Sequence, residues 1–98
     1  MVTRIVKLSF AKENEEAFLK LFHLQNAHIR ATEGCLHLEA LRTETEKSVI
    51  YFTYSKWTSV LDLGAYRSSS LFGEIWPKTK ALFNDKPEVW TLTAVETD

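Results

Sequence analysis

The sequence has too little of several things, and each shortage argues against a class of protein. One cysteine, Cys35, leaves no partner for an intrachain disulfide, which fits a reducing compartment. Three glycines and two prolines in 98 residues are too few for a collagen-like, low-complexity or linker-rich chain. No apolar run exceeds a few residues, far short of the roughly 20 that cross a bilayer as a helix. Met1-Val2-Thr3-Arg4 leads into strand-like residues rather than a charged segment and apolar core, so a cytoplasmic location is expected. Twelve Lys and Arg against thirteen Asp and Glu leave no positive excess, which argues against nucleic acid or a membrane surface as partner. What is present is core material. Hydrophobic residues make up 45% of the chain, and with no repeat or break in composition, residues 1–98 are expected to fold as a single domain.

Periodicity divides the chain into elements. Val2, Val6, Leu8 and Phe10 share one parity, with Arg4 among them, and read as a strand with one strongly apolar face. Asn14 is placed to cap a helix, Glu15 and Glu16 suit its positive end, and Phe18, Leu21, Phe22, Gln25 and Ile29 recur at helical spacing to about Ala31. Gly34 supplies the left-handed residue that a helix end often needs. Cys35 to Thr43 alternates, Thr45-Glu46-Lys47 is a polar link, and Ser48 to Trp57, rich in β-branched and aromatic residues, completes a hairpin. Ser59-Val60-Leu61-Asp62 has capping-box form, with Asp in the acidic place, and opens a short helix that stops near Tyr66. Ser68-Ser69-Ser70 caps a further helical stretch through Phe83, which Pro77 is expected to kink or restart. Asn84-Asp85-Lys86-Pro87 is turn chemistry, and Glu88 to Val95 is a last strand. The order β-α-β-β-α-α-β predicts an α+β, ferredoxin-like domain with a four-stranded antiparallel sheet.

The third strand is apolar on both sides, Ile50, Phe52 and Tyr54 opposing Val49, Tyr51 and Trp57, and the last strand sets Val89 and Val95 against Trp90, Leu92 and Ala94. Helices can cover only one face. A homodimer packed sheet on sheet is therefore expected, a monomer with an open apolar face being the alternative.

His28, beside Leu21 and Leu24 at the edge of the helical stripe, reads either as a pocket base or as a half-buried structural histidine. His23 falls roughly 140° around the helix from it and is expected to face solvent. Cys35, His37 and Glu39 alternate on one strand face, a spacing that can chelate zinc. No local fourth ligand accompanies them, so they are assigned to the dimer interface and no metal is expected. Cys35 also lacks the positioned base that would make it a nucleophile.

Gly34-Cys35 after the first helix, a third strand ending in Trp57, and Ser59, Leu63, Tyr66, Ser69 and Phe72 along the following helices resemble the antibiotic biosynthesis monooxygenase domain family over nearly the whole chain. The resemblance implies a dimeric α/β barrel with a pocket in each protomer between helices and sheet. It also implies oxidation of phenols or quinols by dioxygen without metal, flavin or other cofactor. Trp57 matches the tryptophan that closes the third strand and lines the pocket, and Tyr66 stands where a His or bulky aromatic often sits. Val6 and Trp76 occupy the places where the heme-degrading branch carries Asn and His, so heme degradation is not expected. Ser70-Leu71-Phe72 replaces the Pro-His-Phe type segment of quinol-oxidising members, and Ser55 replaces the Glu two residues before the strand-ending Trp.

Cofactor-free oxidation asks for an apolar, aromatic pocket with one or two groups that stabilise a phenolate while water is excluded. Trp57, Tyr66, Phe72 and Trp76 are the candidate walls for a small aromatic ligand, and Arg4, His28 and Tyr66 the candidate catalytic groups. The same aromatics also fit a plain core, and Arg4 also fits a surface or interface ion pair. Three functions remain open: a cofactor-independent monooxygenase, a noncatalytic dimeric binding module, and an isomerase or stress-linked enzyme on the same scaffold.

Overall fold

Where the alternation is cleanest, three ten-residue strands form: β1 (Val2–Ala11), β2 (Cys35–Glu44) and β3 (Ser48–Trp57), joined by the shorter β4 (Glu88–Thr93). The helices are α1 (Glu15–Arg30), α2 (Val60–Arg67) and α3 (Ser70–Lys80). The computed structural model describes residues 1–95, so the last three of the expected 1–98 domain lie outside the described residues. The sheet is ordered β2-β3-β1-β4 with every neighbouring pair antiparallel, the α+β ferredoxin-like arrangement that the element order predicts.

Register turns strand parity into two faces. Val2, Arg4, Leu8 and Phe10 stand opposite Trp57, Ser55, Tyr51 and Val49, and all eight are buried. Phe18, Phe22 and Trp76 from α1 and α3 pack on the Phe10 end, while Leu63 and Tyr66 of α2 pack on Val2 and Trp57 at the other. All three helices thus lie on one face. The opposite face carries Ile5, Ile50, Phe52, Tyr54, Trp90 and Leu92. No helix covers it, and Trp90 remains 42% exposed. Among the described residues no helix is long and apolar enough to cross a membrane.

Several local expectations change. Asn14 does not cap α1 with its side chain; it ends a 3-10 turn over Lys12–Asn14, and its amide donates to the Leu82 carbonyl at 3.2 Å. Pro77 does not restart α3, which runs through it to Lys80. The carbonyl that its ring deprives of a donor belongs to Gly73, and both residues are exposed, so water can serve that carbonyl. The helix ends before Phe83, which instead forms an isolated bridge with Phe10. β4 stops at Thr93, two residues short of Val95.

The most consequential change is a bulge in β2. Cys35 pairs with Trp57 and His37 with Lys56, leaving Leu36 as the extra residue. Cys35 thereby falls on the helix-covered face, against Val2, Trp57 and Leu63. His37 and Glu39 stay on the open face, where they pair at 3.2 Å. The three residues therefore do not share one face, and Cys35 does not belong to the open sheet surface.

Candidate functional site

β1 and β3 supply the floor of a cavity of about 90 Å³ between the sheet and the helices. Its polar floor is a short list: Arg4 from β1, and Thr53 and Ser55 from β3. Trp57 ends the floor at 1% exposure, its indole N–H donating to Ser55 Oγ at 3.0 Å. The roof comes from α2 and α3, whose first turns are fixed by Ser59 and Ser69; each hydroxyl accepts a backbone N–H, from Asp62 and Phe72 respectively.

That roof is aromatic and continuous. Tyr66 stacks on Trp57 at 5.0 Å between ring centroids, Phe72 meets Tyr66 edge-on at 5.3 Å, and Trp76 stacks on Phe72 at 5.7 Å. Such contacts hold rings in fixed planes with spacings typical of favourable aromatic pairs. Phe18, Phe22 and Ile29 of α1 close the side. Trp57, Tyr66, Phe72 and Trp76, the four expected wall residues, are thus brought together around one space.

Arg4 is only 6% exposed and makes no ion pair among the described residues. Its guanidinium carbon lies 5.8 Å from the Phe72 ring centroid, a cation–π distance. Its Nη1 is buried and has no hydrogen-bond partner. The alternative of a surface ion pair is therefore set aside. Burial lowers the Arg4 pKa, the positive charge of Arg67 lowers it further, and Tyr66 opposes both. Arginine nevertheless stays cationic. Burial likewise raises the Tyr66 phenol, opposed by Arg4 and reinforced by Cys35, so at neutral pH Tyr66 keeps its proton as a donor. The Cys35 thiol is also raised, mainly by burial.

His28 is not brought to this site. It is exposed near the end of α1, one residue before buried Ile29, because about 100° per residue turns it away from the stripe. Leu24, the neighbour that would put it on the stripe, is itself 68% exposed. His28 thus serves neither as pocket base nor as half-buried histidine, while His23 faces solvent as expected. Ser55 and Thr53 line the cavity although sequence reasoning assigns neither to it; both share parity with Trp57, a signal that was available. No cluster of three metal-ligating side chains occurs among the described residues.

Comparisons with known proteins agree with this architecture. Residues 1–77 match the family described as antibiotic biosynthesis monooxygenase. A Caulobacter crescentus protein provisionally named an antibiotic biosynthesis monooxygenase superimposes with a TM-score of 0.86 at 24% identity, covering 97% of this chain and 90% of that one. Rv0793 from Mycobacterium tuberculosis gives 0.80 at 17% identity, covering 98% and 96%. PA3566 from Pseudomonas aeruginosa gives 0.80 at 18% identity, covering 97% and 94%. At these identities the likeness concerns the fold. No curated protein matches the sequence.

Proposed function

The chain belongs to the antibiotic biosynthesis monooxygenase family, and from that premise we propose that it oxidises a small aromatic or quinol-like metabolite with dioxygen, unaided by a cofactor, in the cavity between helices and sheet. The observation that carries this reading is the buried Arg4 side chain, its Nη1 without a hydrogen-bond partner, facing an aromatic enclosure. An electron-rich ring reacts with dioxygen once it is ionised, and a fixed cation in a water-poor site favours the ionised form. The ring gives up a phenolic proton, passes one electron to dioxygen and recombines with the resulting superoxide. For a ring CH2 oxidised to a carbonyl, one oxygen atom enters the product and the other leaves as water with the two hydrogens of the CH2. In this scheme Trp57, Tyr66, Phe72 and Trp76 hold the ring and exclude water, and Tyr66 donates to the developing oxyanion. No His, Asp or Glu lines the cavity among the described residues, so the substrate proton passes to solvent as the ring enters or through water at the mouth.

That same shortage of a base favours a second reading, a noncatalytic binding module using the same pocket. Dioxygen uptake by metal-stripped protein across hydroquinones, anthrones and catechols separates the two. Uptake with labelled oxygen in the product, reduced about a hundredfold to a thousandfold in Tyr66→Phe and lost in Trp57→Ala that still folds, is the expected outcome. Ligand-induced rises in melting temperature without uptake would transfer the assignment to binding.

The functional unit in this proposal is a homodimer. Four strands about 4.8 Å apart and up to ten residues long offer an open face of roughly 600 Å² in projection. That is comparable with the roughly 800 Å² that each partner contributes to a standard interface. The apolar residues on it, Ile5, Phe52, Tyr54, Trp90 and Leu92 among them, suit a second copy of the same sheet.

A further inference from the structure

From the surroundings of Arg4 we infer that the pocket selects an aromatic ligand carrying an oxyanion, a carboxylate or an ionised phenol, and that Arg4 with Ser55 forms the receptor for that charge. The inference rests on the pocket being the ligand site proposed above, though not on its oxygen chemistry.

The sheet gives Arg4 no counter-ion. At its own register it faces Ser55 on β3 and Thr91 on β4. The neighbours one pleat away on the same face are Thr53 and Trp57 on β3 and Val89 and Thr93 on β4. None is acidic. From the helices come Phe72, beneath the guanidinium, Tyr66, which holds its proton, and Arg67, which adds positive charge. A cation withdrawn from water into such a place is costly unless something pairs with it. Within residues 1–95 nothing does, and Nη1 remains without a partner.

Ser55 completes the receptor. Its Oγ already accepts the Trp57 indole N–H, which leaves its own hydroxyl hydrogen free to donate. Directly cross-strand residues on one face have Cβ atoms about 4.5–5.5 Å apart, and Arg4 and Ser55, paired in this way, line the same cavity from adjacent strands. A planar oxyanion on a ring can take both while the ring lies against the wall of Tyr66 and Phe72. Neutral quinols offer the same ring and hydroxyl acceptors but no negative charge to pair with Arg4.

The sequence of the receptor also supplies its control. Ser55→Glu places a carboxylate opposite Arg4, still able to accept the indole N–H, and fills the site from within. The test measures anaerobic binding of 2,5-dihydroxybenzoate, of its neutral amide, and of 4-nitrophenol, whose ionised form absorbs visible light. Wild-type protein is expected to bind the carboxylate about tenfold or more tightly than the amide, or to raise the ionised fraction of bound nitrophenol at fixed pH. The first result identifies a carboxylate as the recognised group, the second a phenolate. Arg4→Met and Ser55→Glu should each lose whichever preference is seen while keeping the wild-type melting transition, and Arg4→Lys should retain part of it. Preference surviving in Arg4→Met, equal affinity for carboxylate and amide with no nitrophenol ionisation, or no binding of any probe would overturn the inference. Dioxygen uptake without anion preference would sink this proposal and leave the oxygenase reading standing. Anion preference without uptake would do the reverse.

Discussion

Glu15, at the first position of α1, accepts hydrogen bonds from the Arg42 guanidinium and, at 2.6 Å, from the Tyr51 hydroxyl. The bonds from Arg42 and then Tyr51 hold its carboxyl down to about 2. A carboxyl depressed on folding stabilises the fold above its unfolded value, here about 4.5, and that stability is lost as pH falls toward about 2. Melting temperatures between pH 6 and pH 2 should therefore fall more steeply in wild type than in Glu15→Gln, which forfeits the stabilisation at neutral pH. Parallel curves would mean that the triad is too solvated to matter. At Ser55 the effect is of another kind. Ser55→Ala strands a buried indole N–H, and urea unfolding should show a loss of about 1–3 kcal/mol. The readable part of the site was the part fixed by strand parity and helical spacing. Arg4 and Trp57 fall on the face that holds Val2 and Val6, and Tyr66, Phe72 and Trp76 follow at intervals of six and four. His28 was misread because its stripe was anchored on Leu24, and Cys35 because a single bulged residue reverses parity without any mark in composition.

At the scale of elements, the pocket depends on how α2 is seated, and Gly34 seats it. Its φ of +85° is the left-handed conformation, and a Cβ there would lie 2.4 Å from Asp62 Cβ. Its carbonyl accepts the Thr58 N–H at 2.9 Å. The start of β2 is thereby pinned to the N-terminus of α2, where Asp62 also accepts from the Thr58 hydroxyl. Gly34→Ala combines backbone strain of about 1–2 kcal/mol with a collision against the first turn of α2. Chemical denaturation should register a loss larger than that of Ser59→Ala, which removes only the cap and costs about 0.5–2 kcal/mol. Because α2 carries Tyr66, Gly34→Ala should also weaken aromatic ligands, whereas a change confined to stability would show that α2 reseats itself. Element order and hairpin were legible because alternation, the polar link at Thr45-Glu46-Lys47 and the Ser59 cap agree with one another. The continuation of α3 through Pro77 was not, since whether a helix can run on past a proline depends on whether its i−4 carbonyl can reach water, and that is settled only by which side of α3 faces out.

For the whole molecule, the two faces of the sheet are coupled by alternation itself. Arg4 lies between Thr3 and Ile5, and Ser55 between Tyr54 and Lys56, so the strands that hold the anion receptor on one side hold the open apolar surface on the other. A second copy covering that surface would fix the register and twist of β1 and β3, and with them the spacing of guanidinium and hydroxyl. Phe52 is the place to probe this, since it projects from the inner strand β3 between Lys7 of β1 and Leu41 of β2 on the open face. An aspartate there has only Lys7, already paired with Glu88 at 3.3 Å, as a neighbouring cation; it is costly to bury in a sheet-to-sheet dimer and tolerated in a solvated monomer. Phe52→Asp should convert a dimer to a monomer in sedimentation at micromolar concentration, lower the melting temperature, and weaken aromatic binding although no atom of the pocket is changed. Dissociation with undiminished binding would mean that each protomer holds its receptor alone, making the dimer a matter of stability. A wild-type chain that sediments as a monomer would leave the apolar face to a partner other than its own copy.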